Sequence, residues 1–264
     1  MNMKIKQYLF LLLAIWTLNG IHAQINNFDD FIIKNEELKM LTVRIAKNYI
    51  MTGVLPANKK IRAEYEADQN KFNDIIVSLT EKAPNEEIEI ELQKLSLSWM
   101  MLDRIIKRKY DILAASKVLD YSDKMVEEID NITNMVMKTT KKKSVRLLKA
   151  SSDGRMYSQR LLLYYIANKV KIRNKNVKIR FEDSKEKLYG IIQLLSKEAE
   201  TDPDLKADEG FQLYIDMIKD SYGKVRKTLT LKAKVHALTA NLIVNQLTEN
   251  FDLLTNMIYE KFNG

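Results

Sequence analysis

Residues Gly154–Ile166 read GRMYSQRLLLYYI and place Arg155, Gln159 and Arg160 at the head of an otherwise apolar run. On a helix, Arg155, Ser158 and Gln159 share one face at i, i+3 and i+4. Arg160 follows five residues after Arg155, about 140° around the axis, so the two arginines address different neighbours. A guanidinium stays charged and offers planar, paired donors that suit a flat oxyanion such as nitrate or a carboxylate. Ser158 and Gln159 would add neutral donors to such a site. The same residues have a plainer use: both arginines can pair with Asp or Glu of adjacent helices and fix the register of a bundle.

A fainter copy of this stretch lies upstream. Placing Arg160 over Arg44, an offset of 116, aligns MLTVRIAKNYI (Met40–Ile50) with MYSQRLLLYYI (Met156–Ile166). Lys39 then stands where the later copy has Arg155, and Thr42-Val43 where it has Ser158-Gln159. Lys39 is still cationic but is a point charge without the guanidinium fork. The match continues in register through Tyr65 over Phe181, Lys71 over Lys187 and Leu79 over Leu195. DNITNM (Asp130–Met135) returns as DLLTNM (Asp252–Met257) at an offset of 122, so the second copy carries a six-residue insertion. An ungapped run followed by matching punctuation is the mark of a repeated unit.

The elements that carry these residues read as helices almost throughout. The first spans about 28–53 and is stopped by Gly53 and Pro56; Asn58 opens a second that ends before Pro84. Asn85 starts a third, with Leu92, Leu95, Trp99, Leu102 and Ile106 on one face at spacings of three and four. A fourth covers about 121–149 and is expected to run on to Val170, with Ser151–Gly154 as the only bend signal. The fold class is therefore all-α: two tandem antiparallel four-helix bundle modules, 24–150 and 151–264, joined by a long helix.

Composition agrees with a helical reading. Of 264 residues, 46% are hydrophobic and 30% charged, with only 7 Gly and 3 Pro to break helices. Residues 1–23 have the order of a secretory signal: Lys4 and Lys6, the apolar run Tyr8–Leu18, then a small residue, Ala23, at the cleavage point. The run is about half the roughly 20 residues a bilayer span needs. The expected location is thus periplasmic or secreted, soluble after cleavage. Without Lys4 and Lys6 the formal charge of +8 falls to +6, scattered along helices except for Lys141-Lys142-Lys143. A solvated helix face accounts for that run, and no nucleic-acid partner is expected.

GRMYSQRLLLYY resembles the signature in the first helix of the PilJ-type sensor domain of type IV pilus chemotaxis transducers, which is related to the periplasmic domain of nitrate/nitrite sensor kinases. The family pattern, Arg-Met-x-Ser-Gln-Arg followed by apolar residues, is met by Arg155, Met156, Ser158, Gln159 and Arg160. The resemblance implies an exported four-helix bundle in which the first arginine binds the anion between two copies of that helix. It assigns ligand contact to Arg155, with Ser158, Gln159 and the degenerate Lys39, and structural roles to Arg44 and Arg160. It also implies nitrate or nitrite as ligand, a membrane receptor or kinase as partner and a homodimeric form. The chain departs from the family in carrying neither a second membrane span nor a signalling output.

Enzyme chemistry has little footing in these residue types. Once the leader is cleaved, His236 is the one histidine left, there is no cysteine, and neither a Gly-rich phosphate loop nor the Glu-x-x-His pairs of a di-metal bundle occur. No cofactor or metal is expected. The alternative function is a structural or protein–protein interaction module, for which Met156, Tyr157, Tyr164 and Tyr165 would supply either core or partner surface.

Overall fold

A computed structural model describes residues 28–140 and 142–263, and among these it shows helices and no strand. The order is α1 (Phe28–Val54), α2 (Lys59–Glu81), α3 (Glu86–Ile106), α4 (Ile112–Thr139), α5 (Lys143–Lys169), α6 (Val177–Thr201), α7 (Pro203–Lys206), α8 (Glu209–Thr228) and α9 (Ala237–Asn263). The expected leader, 1–23, lies outside the described residues.

Local chemistry sets most helix ends. Asn58, Asn85 and Asp208 each accept a hydrogen bond from the backbone three residues on, at 3.0–3.1 Å, which satisfies a donor the helix itself leaves open. Asp29 and Asp30 sit in the first turn of α1, where carboxylates meet the positive end of the helix dipole. α5 closes through Lys171, which adopts a left-handed φ of 57°. Its N–H bonds to Asn168 O, and the Ile172 N–H reaches back to Ala167 O.

α1 packs on α2, α4 and α5, while α5 packs on α6, α9 and α1; α3 closes the first four-helix group and α8 the second. α1 and α5 therefore lie side by side at the centre, buried on almost every face, whereas α2, α3, α6 and α8 each bury a single stripe. This is why the apolar run Leu161–Ile166 is unbroken: each of its faces meets another helix. The two central helices run parallel, because Asp29 pairs with Lys142, Lys39 with Asp153 and Lys47 with Gln159, steps of 113, 114 and 112 residues. These are close to the repeat offset, so matching turns of the two copies face each other.

Several expectations are corrected. No long helix joins the groups: α4 ends at Thr139, and α5 starts at Lys143. The β-branched Thr139-Thr140 and the like-charged lysines that follow give a helix little support, and Lys138 suits the negative end of α4. Residues 150 and 151 lie inside α5, so the division between the groups falls at 140–142. Of the lysine run, Lys142 precedes α5 and Lys143 opens it. Lys142 pairs with Asp29 and Lys143 with Asp202, while Lys141 is outside the described residues. α4 also begins earlier than expected, at Ile112, because Asp111 caps it through Ala114 N at 3.0 Å.

Gly154 is not a bend. It lies within α5 where a Cβ would enter the Phe251 ring of α9, so the glycine permits close helix approach. The extra residues of the second copy form the short α7.

Candidate functional site

The cations of the repeated signature sit along the α1–α5 seam, and each meets a different environment. Lys39 is fully buried and its Nζ contacts three carboxylates: Glu36 Oε2 at 2.6 Å, Asp130 Oδ1 at 2.7 Å, and Asp153. Lys149 adds a second ammonium, 3.1 Å from Asp130 and 3.0 Å from Asp153. Thr133 donates to Glu36 Oε1 at 2.6 Å and accepts from Asn35 Nδ2 at 2.9 Å. Burial alone would lower the Lys39 pKa, but Asp153, Glu36 and Asp130 outweigh it and hold it well above the ordinary lysine value. Burial pushes the Glu36 carboxyl up, with Lys39 opposing; for Asp130, Lys39 and Lys149 overcome burial and hold it down. Three carboxylates around two ammonium groups leave this layer no appetite for another anion.

Arg155 points from α5 to α9, where it pairs with Asp252. Its buried Nε lacks an aligned hydrogen bond, so the pairing is a charge contact rather than a fork. Asp252 is 39% exposed at the side chain against 11% for Arg155. Burial raises its carboxyl pKa against the pull of Arg155 and Arg44. In the repeat, Arg155 and Asp252 are the counterparts of Lys39 and Asp130, so the two copies make the same ion pair. Neighbouring bonds recur in the same way. Asn35–Thr133 returns as Ser151–Thr255, and Thr42 bonding to Leu38 O returns as Ser158 bonding to Gly154 O, at 2.8 and 2.7 Å.

Gln159 lies about two helical turns beyond the Lys39 layer. Its Nε2 donates to Asn245 Oδ1 at 3.0 Å and Thr248 Oγ1 at 2.9 Å, and its Oε1 accepts from Lys47 Nζ at 3.0 Å. Lys47 Nζ also donates to Asn241 Oδ1 at 3.0 Å and makes no ion pair among the described residues. Burial is the main cause that lowers its pKa to about 8. Arg44 adds to the effect, and Glu64 and Asp68 oppose it. Arg44 itself pairs with Asp68 of α2 through Nε at 2.7 Å.

Arg160 takes the opposite direction from Arg155. Its guanidinium meets Asp123 of α4 at 2.7 Å and Asp183 of α6 at 3.9 Å, with the Tyr157 and Tyr164 rings each 5.8 Å away. Tyr164 donates to the same Asp123 oxygen at 2.7 Å, and Arg180 of α6 approaches its other oxygen at 3.0 Å. Asp123 thus ties the first helical group to the second. Met156, Tyr164 and Tyr165 are core, while Tyr157 is half-buried; His236 is exposed ahead of α9.

The expected ligand residues Arg155, Ser158, Gln159 and Lys39 do not converge on one point. Ser158 bonds its own helix, Gln159 faces α1 and α9, and Lys39 and Arg155 face different fourth helices. Among the described residues, no group of three or more His, Cys, Asp or Glu is arranged to hold a metal ion, and no helix is long and apolar enough to cross a membrane. No protein-family model, curated protein or solved structure matches the chain. The sequence reading passed over Lys47, although the repeat carried a signal: Lys47 falls over the buried Leu163, a cation where the other copy is apolar.

Proposed function

We propose that the chain is a non-enzymatic, exported helical-bundle module that presents a rigid pair of bundles to a protein partner, and that its signature cations are structural. The observation that carries this reading is the equivalence of Lys39–Asp130 and Arg155–Asp252: each signature cation has a carboxylate of its own copy as counter-charge. In PilJ-type sensors, which the sequence resembles, the anion lies between first helices of two separate copies. Here α1 and α5 bring two such helices together in one chain, and internal carboxylates stand in for the anion. A membrane receptor or kinase fits the role of partner.

A second reading keeps nitrate or nitrite as ligand, with relay to such a partner and a homodimer as its assembled form. It is favoured by the exposure of Asp252, since a pair at the rim can open to admit a competing anion. Thermal melting in millimolar nitrate, nitrite and acetate separates the two. The structural reading expects no specific shift for the native chain and a gain of nitrate response in Asp252→Asn, where Arg155 is left unpaired. A nitrate-specific rise in the native protein that Arg155→Ala abolishes establishes the second reading instead.

A further inference from the structure

The two helical groups differ at the end where α1 and α5 finish. In the first, the Tyr110 ring lies against Gly53, so closely that a Cβ there would enter it, with the Tyr49 ring 5.5 Å away. In the repeat, Lys169 stands in the place of Gly53 and Lys234 in that of Tyr110, because Val235 N meets the Tyr165 hydroxyl as Asp111 N meets the Tyr49 hydroxyl. The corner that an aromatic ring fills in the first group is open in the second. It forms a cleft of about 430 Å³ between the ends of α1 and α5 and the start of α9.

Val54, Ile166, Val170 and Val235 supply apolar walls, Lys169, Lys234 and His236 supply positive or ionisable groups, and no acidic residue lines the cleft. Lys169 donates to Ala233 O and lies over the Tyr165 ring at 5.3 Å, and it makes no ion pair among the described residues. Lys234 makes no ion pair among the described residues. Tyr165 holds the segment in place, its hydroxyl accepting from Val235 N at 3.2 Å and donating to Val235 O at 3.1 Å. The volume falls within the range of roughly 300–1,000 Å³ typical of small-molecule pockets, which combine apolar walls with a few polar anchors.

We propose that this cleft binds an amphipathic organic monoanion, a short apolar chain or ring bearing one carboxylate. The apolar body lies against Val54, Ile166 and Val170, and the carboxylate sits between Lys169 and Lys234. A small inorganic anion makes no use of the walls, and a neutral ligand leaves the two ammonium groups unmatched. The site is separate from the signature cations and does not depend on the reading given to them.

Calorimetric titration of the full chain with octanoate, and with octanol as its neutral counterpart, tests the proposal. Saturable one-to-one octanoate binding is expected at about 1 mM or tighter, with octanol about tenfold weaker. The double variant Lys169→Gln/Lys234→Gln keeps a donor for Ala233 O and is expected to lose about tenfold in octanoate affinity. The absence of saturable octanoate binding up to about 10 mM overturns the proposal, as does equal affinity for octanol or an unchanged octanoate affinity in the double variant.

Discussion

Replacing Lys47 by methionine removes a buried cation whose partners are two amide oxygens, and the consequence depends on pH in a calculable way. The folded pKa is about 8 against an ordinary lysine value of 10.5. Between those values the unfolded chain keeps the Lys47 proton that the folded chain has lost, so the unfolded state binds more protons and stability rises with pH. Below pH 8 both states are protonated and the burial cost is fully present; above 10.5 both are neutral and it is gone. At 1.36 kcal/mol per pKa unit, the cost is about 3 kcal/mol. The methionine variant lacks this term. It instead leaves Gln159 Oε1 and Asn241 Oδ1 without their donor, at about 1–3 kcal/mol each, so near neutral pH the two effects oppose one another. The decisive quantity is therefore the slope. Urea unfolding followed by helical ellipticity, run on both proteins across pH 8–10.5, is expected to show native stability gaining about 3 kcal/mol relative to Lys47→Met. Titrations common to both proteins cancel in that difference. A difference that stays flat across the window refutes the burial of Lys47 without a counter-charge.

Three further outcomes follow from the seam. Arg160→Ala strips Asp123 of its closest guanidinium and should cost about 3 kcal/mol, while Arg155→Ala, opposite the more exposed Asp252, should cost about 1 kcal/mol or less; equal losses in urea unfolding contradict that division. Lys39→Met leaves Glu36, Asp130 and Asp153 facing one another and should cost about 3–5 kcal/mol, the largest of these losses, as read by the same unfolding midpoint. Gly154→Ala drives a methyl into the Phe251 ring and should cost about 1–3 kcal/mol, recovered in part by Phe251→Leu; a cycle without coupling removes the close-approach explanation of the glycine.

What was legible in the sequence was local. Asn58 and Asn85 mark helix starts because a cap needs only its own side chain and the next turn, and Pro56 follows the end of α1 for a similarly local reason, whereas Gly53 lies inside that helix and makes room for the distant Tyr110 ring. The break at 140–142 carries neither Gly nor Pro, and a helical pattern continues on both sides. It becomes necessary only when α5 must turn back to lie along α1. The divergence of Arg155 and Arg160 followed from five-residue spacing, but their partners are Asp252 and Asp123, 97 and 37 positions away, and no spacing rule names them. The recurrence of Asp130 and Asp252 was visible in DNITNM and DLLTNM. That these aspartates neutralise the signature cations required the fourth helix of each group to be placed beside the first. Lys47 looked ordinary on its own, and only its alignment with Leu163 sets it apart.

The parallel seam of α1 and α5 is tested most directly by cross-linking, since the chain has no cysteine of its own. Asp29→Cys/Lys142→Cys joins positions whose native side chains approach to 3.5 Å, while Asp29→Cys/Lys169→Cys spans the length of α5, about 40 Å at 1.5 Å per residue. With a short bifunctional maleimide, the first pair is predicted to close within single chains, and the second is predicted not to close. Linkage of the second pair, or of the first only between chains, contradicts the intramolecular pairing on which the account rests.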